Sequence, residues 1–234
     1  MQIATNTSQS KKLWYLKNIN VFSGLSWQEL RELKRVTRMV DYRKNEPIYL
    51  PGEPSEQVYM LKKGRVKLSK MSHEGRQVTI AILVPGEIFG EVEVLNATPR
   101  ESIVEALEPV MVCEIQRSDF DRYLKTYPEV GGKVIKFMSG RLRQLETRVG
   151  DLVFKSAPAR LASLLLELSE TMGVMENGAV WLQVRLTHQN LANLIGTSRE
   201  TVSILMTQFA QRGLLKQARR SIQILDKEKL ARVR

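Results

Sequence analysis

The stretch Leu186–Leu215, LTHQNLANLIGTSRETVSILMTQFAQRGLL, constrains this chain most, because it reads as two short helices joined by a tight turn. In the first, Leu191, Leu194 and Ile195 form one apolar face. Gly196 supplies the turn, where a residue without Cβ tolerates positive φ. Thr197-Ser198-Arg199-Glu200 follows a capping-box pattern, so Thr197 is expected to cap the second helix with Glu200 in its first turn. Val202, Leu205, Met206 and Phe209 then recur at the spacing of a buried helical stripe. Arg199, Glu200, Ser203, Ile204, Thr207 and Gln208 are left facing outward. A plain helical hairpin with a solvated face would also show this periodicity. Arg199 argues against it: the helix dipole disfavours a cation in a first turn unless an anion or a guanine edge lies beyond.

The segment after the second helix completes a larger motif. Leu214-Leu215-Lys216 and Ser221–Leu225 are expected to form two short strands around the basic turn Gln217-Ala218-Arg219-Arg220. A hairpin beside a helix-turn-helix is a wing, with Lys216, Arg219 and Arg220 set to meet phosphates. The charge is concentrated there. From Gln183 onward ten Lys+Arg stand against three Asp+Glu, whereas the preceding residues hold 26 against 22. That asymmetry is the electrostatic footprint of nucleic-acid binding. A membrane surface is the rival partner for a basic segment, but no basic amphipathic helix with an aromatic rim accompanies it.

The single cysteine, Cys113, excludes an internal disulfide framework and any cysteine-rich metal site within one chain. It lies in the apolar run Val110-Met111-Val112-Cys113 and reads as a buried thiol. MQIATNTSQSKK lacks an apolar signal core, and no apolar run reaches spanning length, so a cytoplasmic location without a membrane partner is expected. No arrangement of nucleophile and base, metal ligands or phosphate-cradling loop is visible, and the two histidines, His73 and His188, lie far apart. No catalytic residue, metal or cofactor is expected.

From about Val40 the pattern becomes short β-rich runs: Ile48–Leu50, Val58–Leu61, Val66–Leu68, Val78–Val84, Ser102–Leu107 and Val110–Ile115. Pro51-Gly52, Lys63-Gly64, Glu74-Gly75 and Pro85-Gly86 punctuate them, which points to a small antiparallel barrel or sandwich. Inside it lie Phe89-Gly90-Glu91 and Thr98-Pro99-Arg100-Glu101. An acid and an arginine beside close-packing glycines suit a ligand's hydroxyl and anionic groups, although Glu91 and Arg100 pairing with each other explains them equally well.

A long helix is expected over roughly Pro128–Phe154. Ile135, Met138, Leu142, Leu145, Val149 and Leu152 repeat at 3,4,3,4,3 spacing, the seam of a two-stranded coil. Lys136, Arg141, Arg143 and Arg148 charge the opposite face. A helix buried on its own domain also needs a stripe, but one so narrow suits a helix partner better. A parallel homodimer is the economical arrangement, with two recognition helices related by a two-fold axis.

These parts, in this order, resemble the CRP/FNR family, the cyclic-AMP-receptor type of bacterial transcription regulator. The resemblance runs from about Phe22 to Ile224. It rests on Gly52, Gly64, Gly86 and Gly90, on Phe89-Gly90-Glu91 with Pro99-Arg100, on Val149-Gly150-Asp151-Leu152, and on Gly196–Val202. It implies an α+β chain: an N-terminal antiparallel β-roll of cyclic-nucleotide-binding type (1–127), a dimerisation helix (128–155) and a C-terminal winged helix-turn-helix (156–234). It also implies a homodimer on a two-fold symmetric site in double-stranded DNA, with RNA polymerase as a further partner. Arg199, Glu200 and their neighbours Thr197, Ser198, Thr201, Ser203 and Ile204 would read the DNA, and Thr187, His188 and Gln189 would approach its backbone. The implied effector pocket takes in Gly90, Glu91, Pro99, Arg100, Glu101, Leu145 and Glu146.

Several residues depart from the family pattern. Cyclic-AMP-responsive members place a small residue after the phosphate-binding arginine, where this chain has Glu101, and a Thr-Ser pair on the helix, where it has Leu145-Glu146. Each lost contact costs roughly 1–3 kcal/mol, so cyclic AMP is not the expected effector. The cluster-binding cysteines of the oxygen-sensing branch are absent, and neither histidine suits a haem. Ile204 stands where many relatives carry a second arginine; it suits a thymine methyl rather than guanine. The alternative function is a small-molecule-binding module acting through protein contacts.

Overall fold

The computed structural model describes residues 15–75, 77–176, 179–182, 186–218 and 221–234. They divide into two compact units: residues up to Glu74 with Ala81–Leu142, and Gly75–Ile80 with Arg143–Arg234.

In the first unit, helix α1 (Trp27–Arg35) begins at a capping box. The Ser26 hydroxyl accepts from Glu29 N at 3.3 Å, and Ser26 N donates back to the Glu29 carboxylate at 2.6 Å. Strands β1 (Thr37–Tyr42), β2 (Pro47–Tyr49), β3 (Gln57–Lys63), β4 (Val66–Met71), β5 (Gln77–Leu83) and β6 (Ile88–Phe89) come next. After the short helix α2 (Glu91–Asn96) come β7 (Ile103–Ala106) and β8 (Val110–Gln116), then helix α3 (Arg117–Thr126) and the long helix α4 (Pro128–Phe154); β5 up to Ile80 and α4 from Arg143 count with the second unit. The strands form two four-stranded sheets, ordered β1-β8-β3-β6 and β2-β7-β4-β5. This is the expected β-roll, and its strand runs match the sequence reading closely.

The first sheet is apolar on both faces, and successive residues serve different cores. Val58 and Met60 of β3, Cys113 and Ile115 of β8 and Ile88 of β6 pack with Leu30 and Leu33 of α1, Phe120 and Tyr123 of α3, and Val130 and Val134 of α4. Their neighbours Tyr59, Leu61, Val110, Val112 and Phe89 turn inward, where Tyr49, Val66, Leu83, Val104 and Ala106 of the second sheet meet them. The period-two alternation of a strand thus produces two cores from one run. Cys113 is buried, as its apolar setting predicts.

In the second unit, helix α5 (Ala157–Met172) starts at Ser156, whose hydroxyl accepts from Ala159 N, and buries Leu161, Leu164, Leu165 and Leu168. Strands β9 (Gly173–Glu176) and β10 (Ala179–Leu182) precede helices α6 (His188–Ile195) and α7 (Arg199–Gln211). The wing strands β11 (Leu215–Ala218) and β12 (Ser221–Ile224) join them in one antiparallel sheet, ordered β11-β12-β10-β9, and helix α8 (Lys227–Ala231) ends the chain. The wing is therefore half of a four-stranded sheet rather than an isolated hairpin. Such a hairpin is marginal alone, and the added strands stabilise it.

Candidate DNA-reading face and effector pocket

Gly196 ends α6 with φ of +64°, as the turn requires. An added Cβ there would lie 2.9 Å from Leu152 Cδ2, so close packing also favours glycine. The cap of α7 differs from the sequence expectation. Ser198, not Thr197, is the N-cap, and its hydroxyl accepts from Thr201 N at 3.1 Å. Two overlapping cap patterns compete here, and the chain enters the helix one residue later than the Thr197–Glu200 pattern implies. Thr187 makes a second capping box at the start of α6, with Asn190 as its partner.

Val202, Leu205, Met206 and Phe209 are buried. Arg199, Glu200, Ile204, Thr207 and Gln208 are exposed, and Ser203 is half-buried. The Ser203 hydroxyl donates to Arg199 O and lies 2.8 Å from His188 Nδ1, tying the two helices together. Gln189 Nε2 donates to Asn193 Oδ1. The Glu200 carboxyl is held below its ordinary range by its own backbone N–H, in the first turn of α7, with the Ser198 hydroxyl adding to the effect. Lys216 is exposed on β11, while Arg219 and Arg220 lie outside the described residues.

The residues of the implied effector site do not form the expected pair between Glu91 and Arg100. Arg100 is buried, with 2% of its surface exposed. Its Nη1 donates to Gly90 O at 2.7 Å and its Nη2 to Gln57 O. The guanidinium stacks 4.3 Å from the Tyr49 ring centre and 5.6 Å from that of Tyr59. Gly90 has φ of +76°, and a Cβ there would lie 2.7 Å from Arg100 Nη1. The carboxylate beside Arg100 belongs to Glu93, at 3.6 Å.

Glu91 does not pair with Arg100. Its Oε1 lies 3.1 Å from Arg141 Nη1, while Arg141 Nη2 donates to Ile88 O at 3.1 Å. Burial pushes the Glu91 carboxyl above its ordinary range, and the Arg141 charge pulls it partly back. Glu101 faces solvent with its side chain 62% exposed and pairs with Lys70 at 3.0 Å, so it lends little repulsion to the pocket. Pro99 is exposed. Leu145 (half-buried) and Glu146 (exposed) belong to the second unit.

Along α4 the seam is mostly open: Ile135 is 67% exposed, Leu142 59%, Val149 62% and Leu152 50%. Met138 instead packs against the first core, since it lies beside the inward stripe of Val130 and Val134. The charged face is also less solvated than its composition suggests. Lys136 and Arg143 are exposed, but Arg141 holds Glu91 and Arg148 reaches Ile80 O and Glu167. Glu93, Arg141 and the tyrosines Tyr49 and Tyr59 are the partners of Arg100 and Glu91 that sequence reasoning missed. A second acid two residues after Glu91 was the one available signal.

Residues 39–127 match the model of the cyclic nucleotide-binding domain, and residues 159–233 that of the Crp-like helix-turn-helix domain. A CRP-like cAMP-activated global transcriptional regulator of Mycobacterium tuberculosis is 30% identical over 93% of this chain and 97% of its own length. The chain belongs to the CRP/FNR family of transcription regulators. A global nitrogen regulator of Nostoc is 31% identical over 74% of this chain and 79% of its own. Among solved structures, FixK2 of Bradyrhizobium japonicum matches with a TM-score of 0.75 and 28% identity, covering 83% of this chain and 96% of that one. This CRP/FNR member is a DNA-binding regulator on that ground. Among the described residues, no helix is long and apolar enough to cross a membrane, and no cluster of three or more His, Cys, Asp or Glu is placed to hold a metal.

Proposed function

We propose that this protein is a homodimeric, sequence-specific DNA-binding transcription regulator that does not depend on cyclic AMP. The observation that carries the proposal is the outward face of α7. Arg199, Glu200, Ile204, Thr207 and Gln208 stand exposed above a fully packed apolar stripe, as groove entry requires. Thr197, Ser198, Thr201 and Ser203 complete that reading surface. Thr187, His188, Gln189, Lys216, Arg219 and Arg220 would meet the phosphate backbone. The open residues Ile135, Leu142, Val149 and Leu152, with Leu145 between them, support pairing of two copies along α4. Domain roles accord with this: 1–127 as the sensor-like domain, 128–155 as the dimerisation helix and 156–234 as the DNA-binding domain. RNA polymerase is the expected protein partner, and a cytoplasmic location fits these roles.

Independence from cyclic AMP is supported by an arginine whose two Nη groups already donate within the protein and by Leu145-Glu146, which offers no hydroxyl pair. Selection of bound fragments from a random DNA library, without added nucleotide, tests the whole reading. Enrichment of a two-fold symmetric site is expected. Recovery of unrelated sequences, or enrichment only with cyclic AMP, refutes it.

A further inference from the structure

A buried arginine needs a negative partner, and the pocket around Arg100 offers a choice of three carboxylates. Two are spoken for: Glu91 holds Arg141, and Glu101 holds Lys70 at the surface. The backbone oxygens of Gly90 and Gln57 and the rings of Tyr49 and Tyr59 position the guanidinium without neutralising it. Among the described residues the carboxylate paired with Arg100 is that of Glu93, itself buried. Its Oε2 lies 3.6 Å from Arg100 Nη1, and its Oε1 accepts from Ser102 Oγ at 3.1 Å. Arg100 Nε is buried with no hydrogen-bond partner, so the fork retains a donor that an anion could use.

We propose that Glu93 is the ligand-specificity residue of the β domain. Its carboxylate is a built-in counter-ion that occupies the anion position at Arg100. The native pocket is thereby closed to phosphate-bearing effectors, cyclic nucleotides included. This rests on, and deepens, the reading of a regulator that does not use cyclic AMP. A small anion and the Glu93 carboxylate cannot share one guanidinium where both side chains are buried, because two like charges there repel with little screening.

The test is calorimetric titration of the native protein, Glu93→Gln and Glu93→Ala with cyclic AMP, cyclic GMP and inorganic phosphate at neutral pH. Folding is checked by circular dichroism. The native protein should show no saturable binding below millimolar concentrations. Glu93→Ala should gain at least tenfold in affinity for one of the three probes. Glu93→Gln, which keeps the bulk and an amide oxygen for Ser102, should gain less. Should Glu93→Ala fail to fold, any gain by Glu93→Gln over the native protein supports the proposal. Native binding as tight as that of the variants overturns it, as does the absence of a gain in every variant that folds. DNA binding by the native protein is measured separately. Its loss would remove the regulator reading while leaving the anion result to stand or fall alone.

Discussion

Truncating Leu142 to alanine should weaken dimerisation by a calculable amount. The side chain sits on the seam of α4 and is 59% exposed in the single chain. A fully buried leucine contributes roughly 1.5–3 kcal/mol, so covering that exposed part is worth about 1.5 kcal/mol. A two-fold symmetric pair carries the substitution twice, giving a loss of about 3 kcal/mol, or roughly 150-fold in the dimer dissociation constant. Sedimentation equilibrium over a range of protein concentrations reads this directly. Lys125→Ala, on the exposed side of α3, serves as a control and should leave the constant unchanged. Operator affinity should fall in step with the dimer fraction, because each half-site alone offers half the contacts. A native protein that stays monomeric at micromolar concentration refutes the reasoning. So does a folded Leu142→Ala variant that dimerises as tightly as the native chain.

The DNA-binding unit carries three further expectations. Arg199→Ala should cost about 1–3 kcal/mol and relax preference at one base pair, whereas Lys216→Ala should weaken all sequences alike and reduce the salt slope by about 1; binding across operator variants separates the two, and uniform weakening by Arg199→Ala would reassign it to a phosphate. Gly196→Ala combines a left-handed backbone with a Cβ 2.9 Å from Leu152, and urea unfolding should show a loss of about 1–2 kcal/mol or more; an unchanged midpoint would contradict the turn geometry. Asp226 caps α8 by accepting from Lys229 N at 2.9 Å, which holds its carboxyl below the ordinary range. A carboxylate with a lowered folded pKa adds stability above its unfolded value and loses it as pH falls through the folded one. Thermal melts of Asp226→Asn should therefore be less pH-dependent than native melts below about pH 4, and parallel profiles would count against the cap.

Much of the fold was legible because its signals are local. Gly196 between two apolar stripes marks the helix pair, and Pro-Gly or X-Gly steps bound the strands. The misses arise where the answer is settled at a distance. Glu91 and Glu93 look equivalent beside Arg100, but α2 coils them onto different faces. One then meets Arg141 on α4 and the other meets Arg100. Arg141 and Arg148 read as a solvated face because their acidic partners are remote in sequence, at Glu91 and Glu167. Met138 fits the seam by spacing, yet it packs on the first core, since it follows Val130 and Val134 at four-residue steps and so continues their inward stripe. Strands β9 and β10 are too short to show alternation, and only pairing with the wing makes them visible.

The double-sided sheet limits where this chain can change length. Removing one residue within β3 would send Tyr59 toward the helices and Met60 into the roll, exchanging the contents of both cores at once. Neither interior has space shaped for the other's side chains, so such a deletion should abolish folding rather than trim stability. Insertions are confined to the bends between strands, and natural variants that gain or lose residues in this domain should do so there.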